Sequence, residues 1–539
     1  MFERPWHKWF DEGVPGSAEY ENTTLKDKFV EWVNIQPDKP YIYYGDRVLS
    51  YGETNELAKK LANALMELGI KQGDRVSLTL PNIPQFIICS HACMKIGAIL
   101  VPVNPLYTMP ELTYQYSDSG AETVIVIAPV AEKVIEVMRS GKTSLKRAII
   151  MQVPGKEMEF ESADDILDFN TVLASGSSAE PDIAVTNEDT VILQYTGGTT
   201  GVPKGCRLTN ANFVAFYTVF NIYQKNFYEP EELRTLCTVP LYHIYGFNMQ
   251  INVNLCSGGT MVLVPEITPD GILEAINRYE PTYWPTVPAL IQMLNQHPGL
   301  ADSKVSAVKF LLSGSAPLPV EAMKTFEEIS GSTIIEGFGG SETTNGICVN
   351  PKHRRKPGSV GIPFPDNDVK IVDLENGTEE MPLNEPGELI LKGPLIIREY
   401  WNKPEETAIA IKDGWLYTGD IAYLDEDYYL YIVGRKKDMI ISSGFNVYPR
   451  DIDEVLYTHP KILDAGTIGV QDPIRGESIK AFVVKKPGEE LTEEEVIGFC
   501  RDSLAAYKVP KMVEFINEIP RTNMRKVDRK ALRGMEEKN

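Results

Sequence analysis

The sequence has few cysteines, no CxxC pair, no unbroken apolar run of membrane length, no excess of positive charge and no internal repeat. Each absence excludes a class. Seven scattered cysteines, an odd number, do not make a disulfide framework. Cys89 and Cys93 could share a helix face, but no second metal-ligand pair follows, so buried free thiols in a reducing cytosol are expected. The most apolar stretch, residues 76–103, is broken by prolines and by Asn82, Gln85, His91 and Lys95. No transmembrane helix is expected from it. The start, MFERPWHKWFDEGVPG, lacks the basic beginning and apolar core of a signal peptide, and a cytoplasmic location is expected. A formal net charge of -22 argues against nucleic acid as the main partner, since phosphate binding rewards a basic surface. A local basic funnel for a nucleotide can still exist within an acidic whole. No Ser–His–Asp or Cys–His pair for covalent catalysis stands out.

What is present is a folded chain of 539 residues, 43% hydrophobic and 24% charged, long enough for more than one domain. The first two-thirds alternate buried strands (TVIVIA, 123–128; VILQYT, 191–196; TMVLVP, 260–265; KFLLSG, 309–314) with amphipathic helices such as PLPVEAMKTFEEIS. That alternation predicts α/β layers with ligands at the carboxyl ends of strands. From about residue 385, GELILKG, GWLYTGDIAYL and YYLYIVG read as short β segments of a small, barrel-like β unit. After Gly434 the pattern becomes α+β: RDIDEVLYTHP as a helix, AGTIGV and IKAFVV as strands, and a helix through Tyr507 started by a Thr492–Glu495 capping box. The expected boundary divides a large domain, 1–434, from a small one, 435–539.

Between two of these segments lies YTGGTTGVPKG, Tyr195–Gly205. Its glycines let the backbone aim several N–H groups at one point, and its threonines add hydroxyls, a nest suited to phosphate oxygens. It is not a Walker A loop. Five residues after Gly197 stands Val202, five after Gly198 stands Pro203, and Lys204 is followed by Gly205 rather than Ser or Thr.

The run resembles the phosphate loop of the adenylate-forming enzymes: acyl-CoA synthetases, peptide-synthetase adenylation domains and firefly luciferase. Further motifs of that family follow in order: PLYHIYG (240–246), LSGSAPL (312–318), EGFGGSETT (336–344), WLYTGD (415–420), GRKKDMI (434–440), SSGFNVYP (442–449) and PRTNMRKVDR (520–529). The resemblance implies a mobile small domain and assigns roles residue by residue. Thr196, Gly197, Gly198, Thr199, Thr200 and Lys204 would cradle the phosphates of ATP. Ser315, Ala316, Glu336, Gly337 and Gly339 would lie along the nucleotide, Phe338 would stack on adenine, and Ser341, where threonine is usual, would bond the α-phosphate. Glu342 and Thr196 would hold Mg²⁺. Asp420 would accept from the ribose hydroxyls, a task for an acceptor-only carboxylate, and Arg435 would contact ribose and phosphate. Lys437 would be the hinge, and Lys526 the catalytic lysine, preceded by Arg525 where glycine is usual. Tyr242, His243, Tyr245, Phe247, Met249, Ser315, Gly339 and Gly340 would wall the acyl pocket, with His243 near the carboxylate. Ser443, Gly444 and Phe445 would meet the pantetheine arm of CoA. The catalytic set is thus Lys526, Glu342, His243 and Arg435.

The implied activity is that of an AMP-forming acid–CoA ligase. Its substrates would be ATP, CoA and a hydrophobic monocarboxylic acid (fatty, alicyclic or aromatic), because no charged residue in the expected wall would receive an ammonium group. Medium- and long-chain fatty-acid–CoA ligases resemble the chain most. No carrier domain is expected after Lys526. The alternatives are an adenylation enzyme that loads a carrier-protein pantetheine and a nucleotide sensor without chemistry; retention of Glu342, Asp420, Arg435 and Lys526 disfavours the sensor. Peripheral membrane contact and a homodimer stay open.

Overall fold

Apolar strands and amphipathic helices alternate through the large domain and assemble into two mixed sheets. The computed structural model describes residues 4–536, apart from 154, 156, 161–162, 197–201, 228–231, 443–444, 473–475 and 523–525. One sheet has seven described strands. Six are parallel, ordered Ile166–Asp168, Arg147–Met151, Thr123–Ile127, Arg75–Thr79, Ile99–Pro102, Thr190–Tyr195, and Gly205–Thr209 closes the edge antiparallel. The other has nine, with a parallel centre that includes Arg234–Cys237, Tyr283–Thr286, Phe310–Ser313 and Thr333–Phe338, and antiparallel pairs at both edges. Residues of both sheets, such as Leu78, Leu100, Met261 and Leu263, share one core. The parallel strands therefore run as near-continuous apolar segments, because helices or the partner sheet cover both faces.

The broken apolar stretch at 76–103 becomes a strand, the helix Pro84–Ile96 and a second strand, with Gly97 ending the helix at φ +64°. Among the described residues no helix is long and apolar enough to cross a membrane. All seven cysteines are free and buried. The β unit is a five-stranded antiparallel sheet built around the ten-residue strand Trp415–Leu424.

The small domain carries the long hairpin Ile462–Asp472 and Gly476–Lys485, flanked by Ile440–Ser442, Phe445–Val447 and the parallel strand Met512–Phe515, under the helices Pro449–Tyr457 and Glu493–Ser503. The Thr492–Glu495 box forms in both directions, at 3.2 and 2.8 Å. Its helix stops at Ser503, short of Tyr507. Leu504 leaves in an extended conformation, and the chain must turn there for Met512–Phe515 to pair parallel to Gly476–Lys485.

Candidate active site

The carboxyl ends of the parallel strands, the β unit and the small domain enclose one cleft of about 2550 Å³. This is where an open α/β sheet presents its loops to a ligand. Thr196, Lys204, His243, Ser315, Phe338, Glu342, Asp420, Arg435, Lys437 and Lys526, scattered over the sequence, all line it.

The glycine-rich loop leaves a fully buried strand and returns as another strand, Gly205–Thr209. No helix follows it directly, which is the structural counterpart of the failed Walker A spacing. Thr196 N–H donates to the Lys204 carbonyl at 3.0 Å, and Lys204 N–H donates to Thr196 Oγ1 at 3.1 Å, so the two stems close on each other. Gly197, Gly198, Thr199 and Thr200 lie outside the described residues. The Lys204 ammonium stands 4.4 Å over the Tyr400 ring, and the Tyr400 hydroxyl donates to Glu342 Oε1 at 2.9 Å. Tyr400 is buried, and sequence reasoning missed it because no motif contains it.

Glu342 sits in the short 3₁₀ turn Ser341–Thr343, after the strand that ends in Phe338. At Gly339 a Cβ would stand 1.8 Å from the Asn345 carbonyl oxygen, so only glycine lets the motif fold back on itself. Opposite, Ser315 holds φ +71°, strained for a residue with a Cβ, at the turn expected to follow adenine. Glu336 is buried beneath. Its carboxylate accepts Gly358 N–H at 3.0 Å and Leu318 N–H at 3.4 Å, and burial raises its pKa to about 7. These bonds make Glu336 a brace that ties the strand Thr333–Phe338 to the turns at Leu318 and Gly358.

Asp420 and Arg435 come from different motifs but face each other across the antiparallel pair formed by Trp415–Leu424 and Leu430–Arg435. Arg435 Nε meets Asp420 Oδ1 at 2.8 Å, and Asp420 is only 6% exposed. Burial raises the Asp420 pKa, opposed by Arg435 and Lys526. Lys526 arrives on a hairpin of the small domain closed by Thr522 N–H to the Lys526 carbonyl at 2.8 Å and Lys526 N–H to Thr522 Oγ1 at 3.2 Å. Its side chain is wetted by the cleft yet surrounded by protein. That confinement, with Arg435 nearby, lowers its pKa to about 8. Arg525 lies outside the described residues.

His243 Nδ1 accepts Tyr245 N–H at 3.2 Å, which leaves the hydrogen of the neutral ring on Nε2. Desolvation and Lys526 push its pKa to about 3. At neutral pH it is a neutral hydrogen-bond donor rather than a proton carrier. Tyr242, Tyr245, Gly339 and Gly340 line the cleft as expected. The Tyr245 hydroxyl is tied to the Leu312 and Thr286 carbonyls at 2.6 and 3.1 Å, which fixes its ring as a wall.

Phe247 and Met249 do not line the cleft; both are fully buried. Phe247 is two residues past Tyr245 on a helical path, hence on the opposite side, where it packs on Phe213 with centroids 5.4 Å apart. Met249 lies in the wider π-helical turn Phe247–Asn252, inside the core that also contains Tyr245. The wall is completed instead by Phe216 and Phe220 from the helix Asn210–Gln224 and by Val287, Gln292 and Met293. In the sequence the Phe216–Phe220 pair carries only the i, i+4 spacing of an ordinary core helix.

Phe445 lies outside the cleft. It is 53% exposed and stacks on Tyr507 with centroids 4.6 Å apart, while Ser443 and Gly444 lie outside the described residues. Lys437 does line the cleft, in the turn after Arg435, and burial lowers its pKa to about 8.

Comparison with known proteins shows the family. The family model for AMP-binding enzymes matches residues 29–401, and that for the AMP-binding enzyme C-terminal domain matches residues 451–526. A long-chain-fatty-acid–CoA ligase of Bacillus subtilis (strain 168) is 37% identical over 560 residues, covering 100% of this chain and 99% of its own. Among solved structures, ATP-bound MatB from Rhodopseudomonas palustris superposes with a TM-score of 0.86 at 28% identity, over 95% of this chain and 99% of that one. The anthranilate CoA ligase AuaEII in complex with anthranoyl-AMP also gives 0.86, at 26% identity, over 95% and 97% of the two chains. The chain belongs to the AMP-binding enzymes, the adenylate-forming family.

Proposed function

We propose that the protein is an AMP-forming acid–CoA ligase for hydrophobic monocarboxylic acids. The observation that carries this reading is the convergence of Lys526, Arg435, Asp420 and Glu342 with a neutral His243 in one cleft that Phe216, Phe220, Tyr245, Val287 and Met293 also line. In the first half-reaction a carboxylate oxygen of the acid attacks the α-phosphorus of ATP and pyrophosphate leaves. In the second, the thiol of CoA attacks the acyl carbon and AMP leaves. Lys526 stabilises the charge that develops on the phosphate. His243 Nε2–H orients the acid carboxylate, and Asp420 Oδ2 accepts from the ribose while Oδ1 keeps Arg435.

The donor set fits a divalent ion of the Mg²⁺ type. Among the described residues no group of three or more His, Cys, Asp or Glu forms a protein cage, whereas such an ion needs only one or two carboxylates plus phosphate oxygens. Glu342, with Thr196, would hold it, and when bound it would neutralise charge on the phosphates.

The two bodies proposed are residues 1–434 and 435–539, turning about Lys437. With Lys526 inside the cleft and Phe445 outside, the arrangement suits adenylation, and the thioester step calls for a rotation that exchanges them. The walls of Tyr, Phe, Val and Met suit fatty and aromatic acids alike.

The test is pyrophosphate release over a panel of acids, with and without CoA. Release that depends on a hydrophobic acid, with thioester formed once CoA is added, is the expected result. Acid-dependent release without thioester would favour a carrier-protein acceptor, and release indifferent to the acid would remove the reading.

A pH dependence follows from Lys526. The ammonium form does the work, so it is lost as pH rises through its free-enzyme pKa of about 8. The kcat/KM for ATP should therefore fall on a basic limb near pH 8, and Lys526→Arg, charged throughout, should remove that limb. A limb unchanged in Lys526→Arg would assign it to another group.

A further inference from the structure

One peptide unit of the glycine-rich loop is held at both ends. The carbonyl of Pro203 accepts the Tyr114 hydroxyl at 2.7 Å, and the N–H of the same unit, that of Lys204, donates to Thr196 Oγ1 at 3.1 Å. That unit is planar, and the next one is held through the Lys204 carbonyl, which accepts Thr196 N–H at 3.0 Å, so two held planes together set the direction in which the Lys204 side chain departs. One helical turn beyond Tyr114, on the same face of the helix Met109–Ser119, stands Asp118. Its Oδ2 accepts the Tyr195 hydroxyl at 2.9 Å, at the entry stem of the loop, and its Oδ1 pairs with Lys403 at 2.7 Å. Lys403 belongs to the segment whose Trp401 N–H donates to the Gly205 carbonyl at 2.8 Å and whose Tyr400 lies under the Lys204 ammonium and bonds Glu342.

None of this is needed to close the strand pair, whose register already runs from Thr190 opposite Thr209 to Tyr195 opposite Gly205. What the helix adds lies past the end of that ladder, where Thr196 and Lys204 stand. The Asp118 carboxylate is 10% exposed and spends both oxygens on the two segments that flank the loop.

We propose that Tyr114 and Asp118 are positioning residues for adenylation, holding Thr196 and Lys204 in the orientation that receives the pyrophosphate end of ATP. The proposal rests on the reading of the cleft as an ATP site. It separates the half-reactions, because the pyrophosphate end is empty when CoA attacks the acyl-adenylate.

The test uses the full chain with Tyr114→Phe, which removes one hydroxyl, and Asp118→Asn, which keeps the shape and removes the charge. ATP–pyrophosphate exchange should lose about tenfold or more in kcat/KM for ATP, the scale of one or two lost hydrogen bonds. The KM for the acid, and thioester formation from supplied acyl-adenylate and CoA, should stay at the wild-type level. Trypsin cleavage after Lys204, measured without ligands, should accelerate in both variants, because the stem is released. Equal loss in both half-reactions, unchanged exchange, or unchanged cleavage would each overturn the proposal. If the wild type itself shows no acid-dependent exchange, the reading of the reaction fails, and the cleavage rates still decide whether the helix anchors the loop.

Discussion

Lys526→Ala should abolish acyl-adenylate formation while sparing thioester formation from supplied acyl-adenylate and CoA. The expected loss in adenylation is about 10²–10³-fold or more, the scale for removing one preorganised charge or donor from a developing anion. The structural ground is its placement. Its pKa responds to Arg435 and Asp420, and it is itself felt by His243, so all four share one electrostatic neighbourhood inside the cleft. The second half-reaction has a different leaving group and no pyrophosphate to stabilise, so the same lysine has nothing to do there. Equal loss in both halves, measured by pyrophosphate exchange and by thiol consumption, would show that Lys526 supports the fold or the nucleotide pocket in general.

Lys437→Pro should do the reverse. Lys437 sits in the turn that joins the β unit to the first strand of the small domain, a turn in which Asp438 and Met439 N–H both reach the Arg435 carbonyl. Proline fixes φ near −65° and restricts the residue before it, so the turn could no longer absorb a large rotation. Adenylation, which the present arrangement suits, should persist. Thioester formation should fall by about tenfold or more, with acyl-adenylate accumulating on the enzyme, if domain rotation gates that step. Unchanged turnover with CoA would remove Lys437 as the hinge.

Much of the fold was legible because parallel strands covered on both faces must be apolar along their length. TVIVIA, VILQYT and KFLLSG could hardly be anything else, and each is a strand. The capping box of Thr492 was legible for a similar reason: it is a local exchange of two hydrogen bonds. The end of that helix was not, since a strand pairing contributed by Gly476–Lys485 decides it. Short motifs single out Asp420, Glu342 and Lys526, and the structure brings all three to one cleft. The site was obscure where the third dimension assigns the role. Phe247 and Met249 stand beside the pocket motif in sequence but turn away from the cleft, whereas Phe216 and Phe220 look like core and face it. Tyr400, Tyr114 and Asp118 act through bonds to residues far along the chain, for which sequence spacing gives no signal. Glu336, expected along the nucleotide, lines the cleft and also bonds Gly358 and Leu318, partners that sequence spacing does not show.

The central claim is that one cleft joins an acid to CoA at the expense of ATP through an adenylate. It is tested most directly by product stoichiometry with a hydrophobic acid, ATP, Mg²⁺ and CoA in one reaction. The expected result is one AMP and one pyrophosphate for each thioester formed, with pyrophosphate release surviving the omission of CoA and ending on the omission of the acid. Formation of ADP and phosphate with the thioester, or AMP without any requirement for the acid, would contradict it.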